Sequence, residues 1–174
     1  MTFFPRKESR PRTVRATFPE TALAALALLW TVGTLAAPLL ASGGHAAAAF
    51  AARWIYSPFC HQELARSCSI DGFPLSVCHR CMAIYAAFTM VLLLSRVLVR
   101  GEGFSRVALL AFLAPMLLDV GLDLIGAHAN TSATRIASGI VAGVGLAYFL
   151  VPALRELGRE MRDRRVCSTV TQGH

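Results

Sequence analysis

Four apolar stretches, separated by short polar or basic segments, dominate the pattern of the chain. Thr21 to Ser42 runs 22 residues without a charge, and Ile136 to Ala153 runs 18. Val107 to Ile125 is equally apolar but carries Asp119 and Asp123. Met82 to Ser95 is shorter, and reaches spanning length only with Cys78 to Cys81 and Arg96 to Val99 at its ends. A helix needs about 20 mostly apolar residues to cross a bilayer. The pattern therefore predicts an all-α integral membrane protein, a four-transmembrane-helix bundle with spans at 21–42, 78–98, 107–125 and 136–153. Residues 1–20 and 154–174 are expected as basic tails, and 43–77 as one long loop.

Gly43-Gly44 breaks the first span, and the alanine-rich stretch His45 to Tyr56 reads as a short interfacial helix ended by Pro58. Phe50, Trp54 and Tyr56 on it are the kind of residues that sit at headgroup level. Asp71-Gly72 and Pro74 mark turns further on. No repeat is evident.

Composition agrees with this picture. The chain is 55% apolar and only 16% charged, which excludes an ordinary soluble enzyme and a disordered chain alike. A net charge of +7 alone would suggest nucleic acid, but its distribution says otherwise. Thirteen basic residues flank one side of the spans: Arg6, Lys7, Arg10, Arg12 and Arg15; Arg96, Arg100 and Arg106; Arg155, Arg159, Arg162, Arg164 and Arg165. Four lie on the other: Arg53, Arg66, Arg80 and Arg135. Basic residues stay cytoplasmic, so both termini are expected inside a cytoplasmic membrane, with the lipid bilayer as partner and no nucleic acid. The first apolar run is too long for a signal peptide, and Ala41 to Gly44 is a poor cleavage site, so it is expected to remain as a span.

On this topology three groups of reactive residues converge at the extracytoplasmic end: Cys60-His61-Gln62 with Glu63 and Arg66; Cys78-His79-Arg80-Cys81; and Asp119 and Asp123, followed by His128 and Arg135. Asp119 lies about 20 Å up its helix from Arg106, beyond the bilayer midplane, and Asp123 shares its face one turn further on. Intramembrane carboxylates need a partner, and an ion pair with Arg80 or Arg135 is the plainest one. Cys78 and Cys81 stand at a helix N-terminus, where backbone N–H groups and the helix dipole favour a thiolate. They can ligate a metal, cycle between dithiol and disulfide, or form a structural bond. Cys60, Cys78 and Cys81 with His61 make a set that suits zinc. Adjacent residues seldom ligate one ion together, so Asp119, His79 or His128 are alternatives for the fourth position. Gln62, Arg80, Asp123 and Arg135 are expected as supporting or charge-balancing groups. Cys68 makes the count of outer cysteines four, and Cys167 stands alone in the last tail. No histidine follows Cys81, which argues against attached haem. Gly139 and Gly143, with Gly145 beyond, are spaced for close helix packing within the bundle. Pro115 is expected to bend its helix one turn before Asp119.

Cys60-His61-Gln62, Arg66-Ser67, Pro74 and Cys78-His79-Arg80-Cys81 with Ile84-Tyr85, then Pro115, Asp119, Arg135 and Gly139, carry a resemblance. From Cys60 to about Leu150 the chain resembles the family of small bacterial membrane proteins called domain of unknown function 2085. The resemblance implies that Cys60, His61, Cys78, Arg80, Cys81 and Asp119 belong together, and it implies no activity. The chain departs from that pattern at Cys68, where the family tends to an aromatic, at His79, where it has a small residue, and at Met82-Ala83, which replace a Thr-Gly pair.

The leading expectation is an extracytoplasmic transition-metal site, zinc by its ligand chemistry. An enzyme is the first alternative: a quinone-linked thiol–disulfide oxidoreductase with Cys78 and Cys81 as redox pair and Cys60 and Cys68 as shuttle pair. Its plan is similar to that of the disulfide-forming membrane oxidoreductases, which lack His61-Gln62 and Asp119. A structural accessory subunit stapled by disulfides is the second alternative, and a transporter is weaker, since four helices are few.

Overall fold

A computed structural model describes residues 18–99, 105–127 and 129–171. The first five basic residues of the N-terminal tail, Arg100, His128 and the side chain of Cys167 lie outside the described set. The described residues are mostly helical: α1 Phe18–Gly33, α2 Ala36–Ser42, α3 Ala46–Tyr56, α4 His79–Leu93, α5 Ser95–Leu98, α6 Arg106–Leu124 and α7 Ser132–Thr171. A 3₁₀ turn, Leu64–Arg66, and a small hairpin, β1 Ser69–Ile70 with β2 Phe73–Pro74, interrupt the long loop between α3 and α4.

Among the described residues, three helical segments are long and apolar enough to cross a membrane: Phe18–Ser42, Arg106–Leu124 and Ser132–Arg162. The expected second span is shorter. Its apolar helix is His79–Leu93, and the chain then turns at Leu94 into α5. The last span also differs from expectation, because α7 begins at Ser132 and continues for 40 residues. At 1.5 Å per residue it extends roughly 60 Å, so most of the basic C-terminal tail is helix. Large side chains such as Phe18, Leu29, Val107, Leu118 and Leu124 are exposed, and α6 has no buried residue. Such surface suits lipid contact rather than water.

The first span is broken into α1 and α2 for a local reason. Pro38 has no N–H, so the carbonyl four residues back, that of Thr34, loses its helical donor. The Ser76 N–H donates to that carbonyl instead, at 3.3 Å, which ties the end of the long loop to the broken helix. α4 packs mainly on α7, and α6 and α1 flank this pair. Glycine makes the α4–α7 approach possible. A Cβ on Gly139 would lie 2.7 Å from the Arg80 carbonyl oxygen, and one on Gly143 2.5 Å from that of Ile84. The small-residue spacing thus serves packing inside the bundle, as expected, while Gly145 receives Phe112 of α6. Pro115 sits within α6, which continues on both sides of it.

Gly143→Val should push α4 off α7. Overpacking of this kind costs about 1–3 kcal/mol, and the thermal midpoint in detergent is expected to fall by several degrees. An unchanged midpoint would contradict the close approach.

Several polar groups inside the bundle are paired. Thr31 and Thr89 hydroxyls lie 2.9 Å apart, and Thr89 also donates to the Ala27 carbonyl at 3.2 Å. At the end remote from the cysteines, Glu20 and Arg155 are buried at 1% and 5% exposure. The Arg155 guanidinium donates to both Glu20 carboxylate oxygens at 3.0 and 3.2 Å and to the Val99 carbonyl at 2.5 Å. Ser95 donates to Glu20 at 2.5 Å. Both residues fall within the segments that the sequence marks as basic tails, 1–20 and 154–174. They join α1, α5 and α7 around the core of Val91, Leu92, Val99, Ala147 and Val151.

Candidate metal centre

The site begins with the loop that follows α3. Tyr56, expected at headgroup level, is buried at 4% exposure, and its hydroxyl donates to the Trp30 carbonyl at 2.8 Å. Phe50 and Trp54 remain exposed. Trp30 is surrounded by the rings of Tyr56, Phe59 and Tyr85, at centroid distances of 4.6, 5.4 and 6.2 Å. Edge-to-face geometry of this kind fixes ring positions. These aromatics form an apolar wall beside Cys60, Cys78 and Cys81.

Cys60 is drawn back toward α3 by its N–H, which donates to the Tyr56 carbonyl at 3.1 Å. Gln62 then turns the chain with φ of +52°, a conformation that a non-glycine residue adopts only when its surroundings hold it there. Its side-chain amide donates to the carbonyls of Arg53 at 2.5 Å and Ser76 at 2.8 Å. Arg53 returns the link, donating to the carbonyls of Gln62 at 3.3 Å and Leu75 at 3.2 Å. This lacing brings the Cys60 segment against the start of α4. Cys78 is the residue that caps α4, and its backbone N–H donates to the Cys60 sulfur at 3.2 Å.

The three sulfurs of Cys60, Cys78 and Cys81 lie within 4.8 Å of one another. Tetrahedral zinc with Zn–S of about 2.3 Å sets its sulfurs about 3.8 Å apart, so a small contraction would close the set on an ion. Among the described residues this is the cluster that could hold a metal. All of Cys60, Cys68, Cys78 and Cys81 are free thiols.

The other expected site residues fall around this triad rather than in it. His61 is exposed and lines the same pocket, of about 400 Å³, as the three cysteines. Asp119 is engaged elsewhere: it forms an ion pair with Arg80 and accepts from Ser138 at 3.5 Å. Asp123 pairs with Arg66 at 3.5 Å, and Arg66 also binds Glu63 at 2.8 Å. Asp123, Arg66, Arg80 and Arg135 contribute to the pocket wall. Cys68 is carried away by the hairpin, whose Asp71-Gly72 turn takes positive φ at both residues, the form that two-residue hairpins favour. It is exposed and borders a different cavity, with His79, Met82 and Ile136. A Cys60–Cys68 partnership therefore finds no support in the geometry, since the neighbours of Cys60 are Cys78 and Cys81.

Gln62→Glu would replace the donating amide with a carboxylate facing two carbonyl oxygens. The Cys60 segment should then detach from Ser76, and zinc uptake is expected to fall at least tenfold. Equal uptake by this variant would show that the lacing does not position Cys60.

No solved structure matches the chain. An uncharacterized protein of Methanocaldococcus jannaschii is 28% identical over 106 residues, covering 59% of this chain and 68% of its own. An uncharacterized protein of Methanothermobacter thermautotrophicus is 32% identical over 89 residues, 51% of this chain and 80% of its own. Both are archaeal, so likeness to this chain is not confined to bacteria. The family profile described as predicted membrane protein, domain of unknown function 2085, matches residues 60–149, from the first thiol of the triad to the middle of α7. That stretch contains all three clustered cysteines, the Arg80–Asp119 pair and the glycines that seat α4 on α7, and the chain belongs to this family.

Proposed function

We propose that this is a multi-pass protein of the cytoplasmic membrane that binds a transition-metal ion, zinc by its ligand chemistry, at its extracytoplasmic end. The observation that carries the reading is the convergence of Cys60, Cys78 and Cys81 from two separate segments. Thiolates select soft or borderline ions, and three of them around a divalent ion leave one coordination position for a further donor. His61, on the same pocket wall, is the protein group that this reading assigns to it after a shift of its loop; Glu63 and Asp123 on that wall are already paired with Arg66. Asp119, held by Arg80, acts in this reading as the anchor of the helix carrying Cys78 and Cys81 rather than as a ligand. The distribution of basic residues supports four crossings with both termini inside. α4 is then the short crossing, sheltered between α1 and α7.

A second reading is favoured by one feature. An apolar cavity of about 730 Å³, lined by Trp30, Tyr56, Tyr85, Phe88 and Thr89, lies on the aromatic wall beside the thiols. A membrane quinone there could accept two electrons and two protons from Cys78 and Cys81, giving quinol and a disulfide between them.

Purified without chelator in mild detergent, the protein is expected to hold about one zinc per chain, with Cys60, Cys78 and Cys81 unoxidised. A metal-free protein with Cys78 and Cys81 lost to a disulfide would overturn the metal reading and favour the quinone-linked one.

A further inference from the structure

The pocket beside the thiols holds guanidinium groups whose donors are not all used. Arg66 is divided between Glu63 and Asp123, and one arm of Arg80 is taken by Asp119. The Arg80 Nε is buried and has no hydrogen-bond partner among the described residues. Arg135, in the first turn of α7, is only 8% exposed and lines the pocket. Its backbone carbonyl accepts from Ser138 at 3.3 Å and its N–H donates to Thr131 at 3.2 Å. Its guanidinium meets no acceptor among the described residues.

Buried donors in native proteins are generally satisfied, and the Arg80 Nε is not; the Arg135 charge, 8% exposed on the pocket wall, is costly to desolvate without a counter-charge or acceptor. The negative charge of a metal held by three thiolates would offset Arg135 electrostatically. It would not supply oxygen acceptors in the plane of a guanidinium. Oxyanions do so, and their paired oxygens match its fork.

We infer that this pocket is a binding site for a small oxyanion, held by the Arg135 guanidinium together with the free Nε of Arg80. The pocket volume of about 400 Å³ accommodates such an anion beside the thiols. The site is separate from the thiol triad in its donors and stands whether or not a metal is bound. With a metal present, the anion would lie in the same pocket as the remaining coordination position. The shared chemistry is a phosphate or carboxylate group, available from a free anion or from a lipid headgroup.

The probe is radiolabelled inorganic phosphate in equilibrium dialysis against the full-length protein in detergent, zinc-loaded and chelator-treated, at constant ionic strength. Saturable binding of about one phosphate per chain is expected. Arg135→Gln should weaken it at least tenfold in the zinc-loaded and the chelator-treated protein alike, and Arg135→Lys, which keeps the charge but not the fork, should fall between. Non-saturable binding, or equal affinity in folded Arg135→Gln protein, would overturn the proposal. Monodisperse elution of both variants confirms folding. Phosphate binding by wild-type protein that takes up no zinc when zinc is supplied would sink the metal reading alone; zinc uptake without phosphate binding would sink this one alone. Adding phosphatidylglycerol to the micelles distinguishes the sources: competition identifies a lipid headgroup as the occupant, and unchanged binding identifies a free anion.

Discussion

Changing Cys60, Cys78 or Cys81 singly to serine is expected to lower zinc affinity by roughly 100-fold or more, while Cys68→Ser leaves it within twofold. The magnitude follows from the role of each sulfur. Loss of a group that merely supports a ligand costs about 10–100-fold in metal affinity, and loss of a thiolate ligand costs more. The contrast with Cys68 follows from position, since the hairpin holds that residue exposed at a different cavity. Serine at position 60 is nearly isosteric and still accepts the Cys78 N–H, so the loop keeps its form and the effect is read as ligand loss. Competition with a chromophoric zinc chelator measures the affinities. A Cys68→Ser protein that lost its zinc, or a Cys60→Ser protein that kept it, would remove the triad as the site.

The second large effect lies at the other end of the bundle. Arg155→Met would leave the Glu20 carboxylate, 1% exposed, without the guanidinium that binds both its oxygens. Breaking a buried pair by removing one partner costs about 3–5 kcal/mol. It also strips the Val99 and Ser95 carbonyls of their donor. Unfolding in denaturing detergent should therefore occur at a markedly lower concentration for Arg155→Met. The double change Glu20→Leu with Arg155→Met removes the orphaned charge and should recover much of the loss. Equal sensitivity of wild type and Arg155→Met would show that the pair does not hold α1, α5 and α7 together.

The difference between these two sites shows what the residue pattern discloses. The thiol triad was legible because Cys60 and the Cys78–Cys81 pair are scarce chemistry beside apolar runs, where such residues require a reason. Asp119 was legible in the same way, and its pairing with Arg80 was one of the partners that spacing allowed. Glu20 and Arg155 were not legible. They lie at the edges of basic tails, where a charge is the default, and nothing local says that α7 continues as helix to bury one against the other. The α1–α2 break had a signal in Pro38, but its consequence depended on a donor at Ser76, 42 residues after Thr34. Tyr56 read as an interfacial aromatic, and its burial against Trp30 depended on the fold of the whole loop. The sequence offers His61 for the fourth position, with Asp119, His79 and His128 as alternatives; it lines the thiol pocket but lies outside the cluster of three sulfurs.

The account rests on three sulfurs from two segments sharing one ion. Zinc K-edge X-ray absorption of the purified protein tests this directly. Three sulfur scatterers near 2.3 Å with a single nitrogen or oxygen are the expected shell. A shell of nitrogen and oxygen alone, or one unchanged in Cys60→Ser, would contradict it.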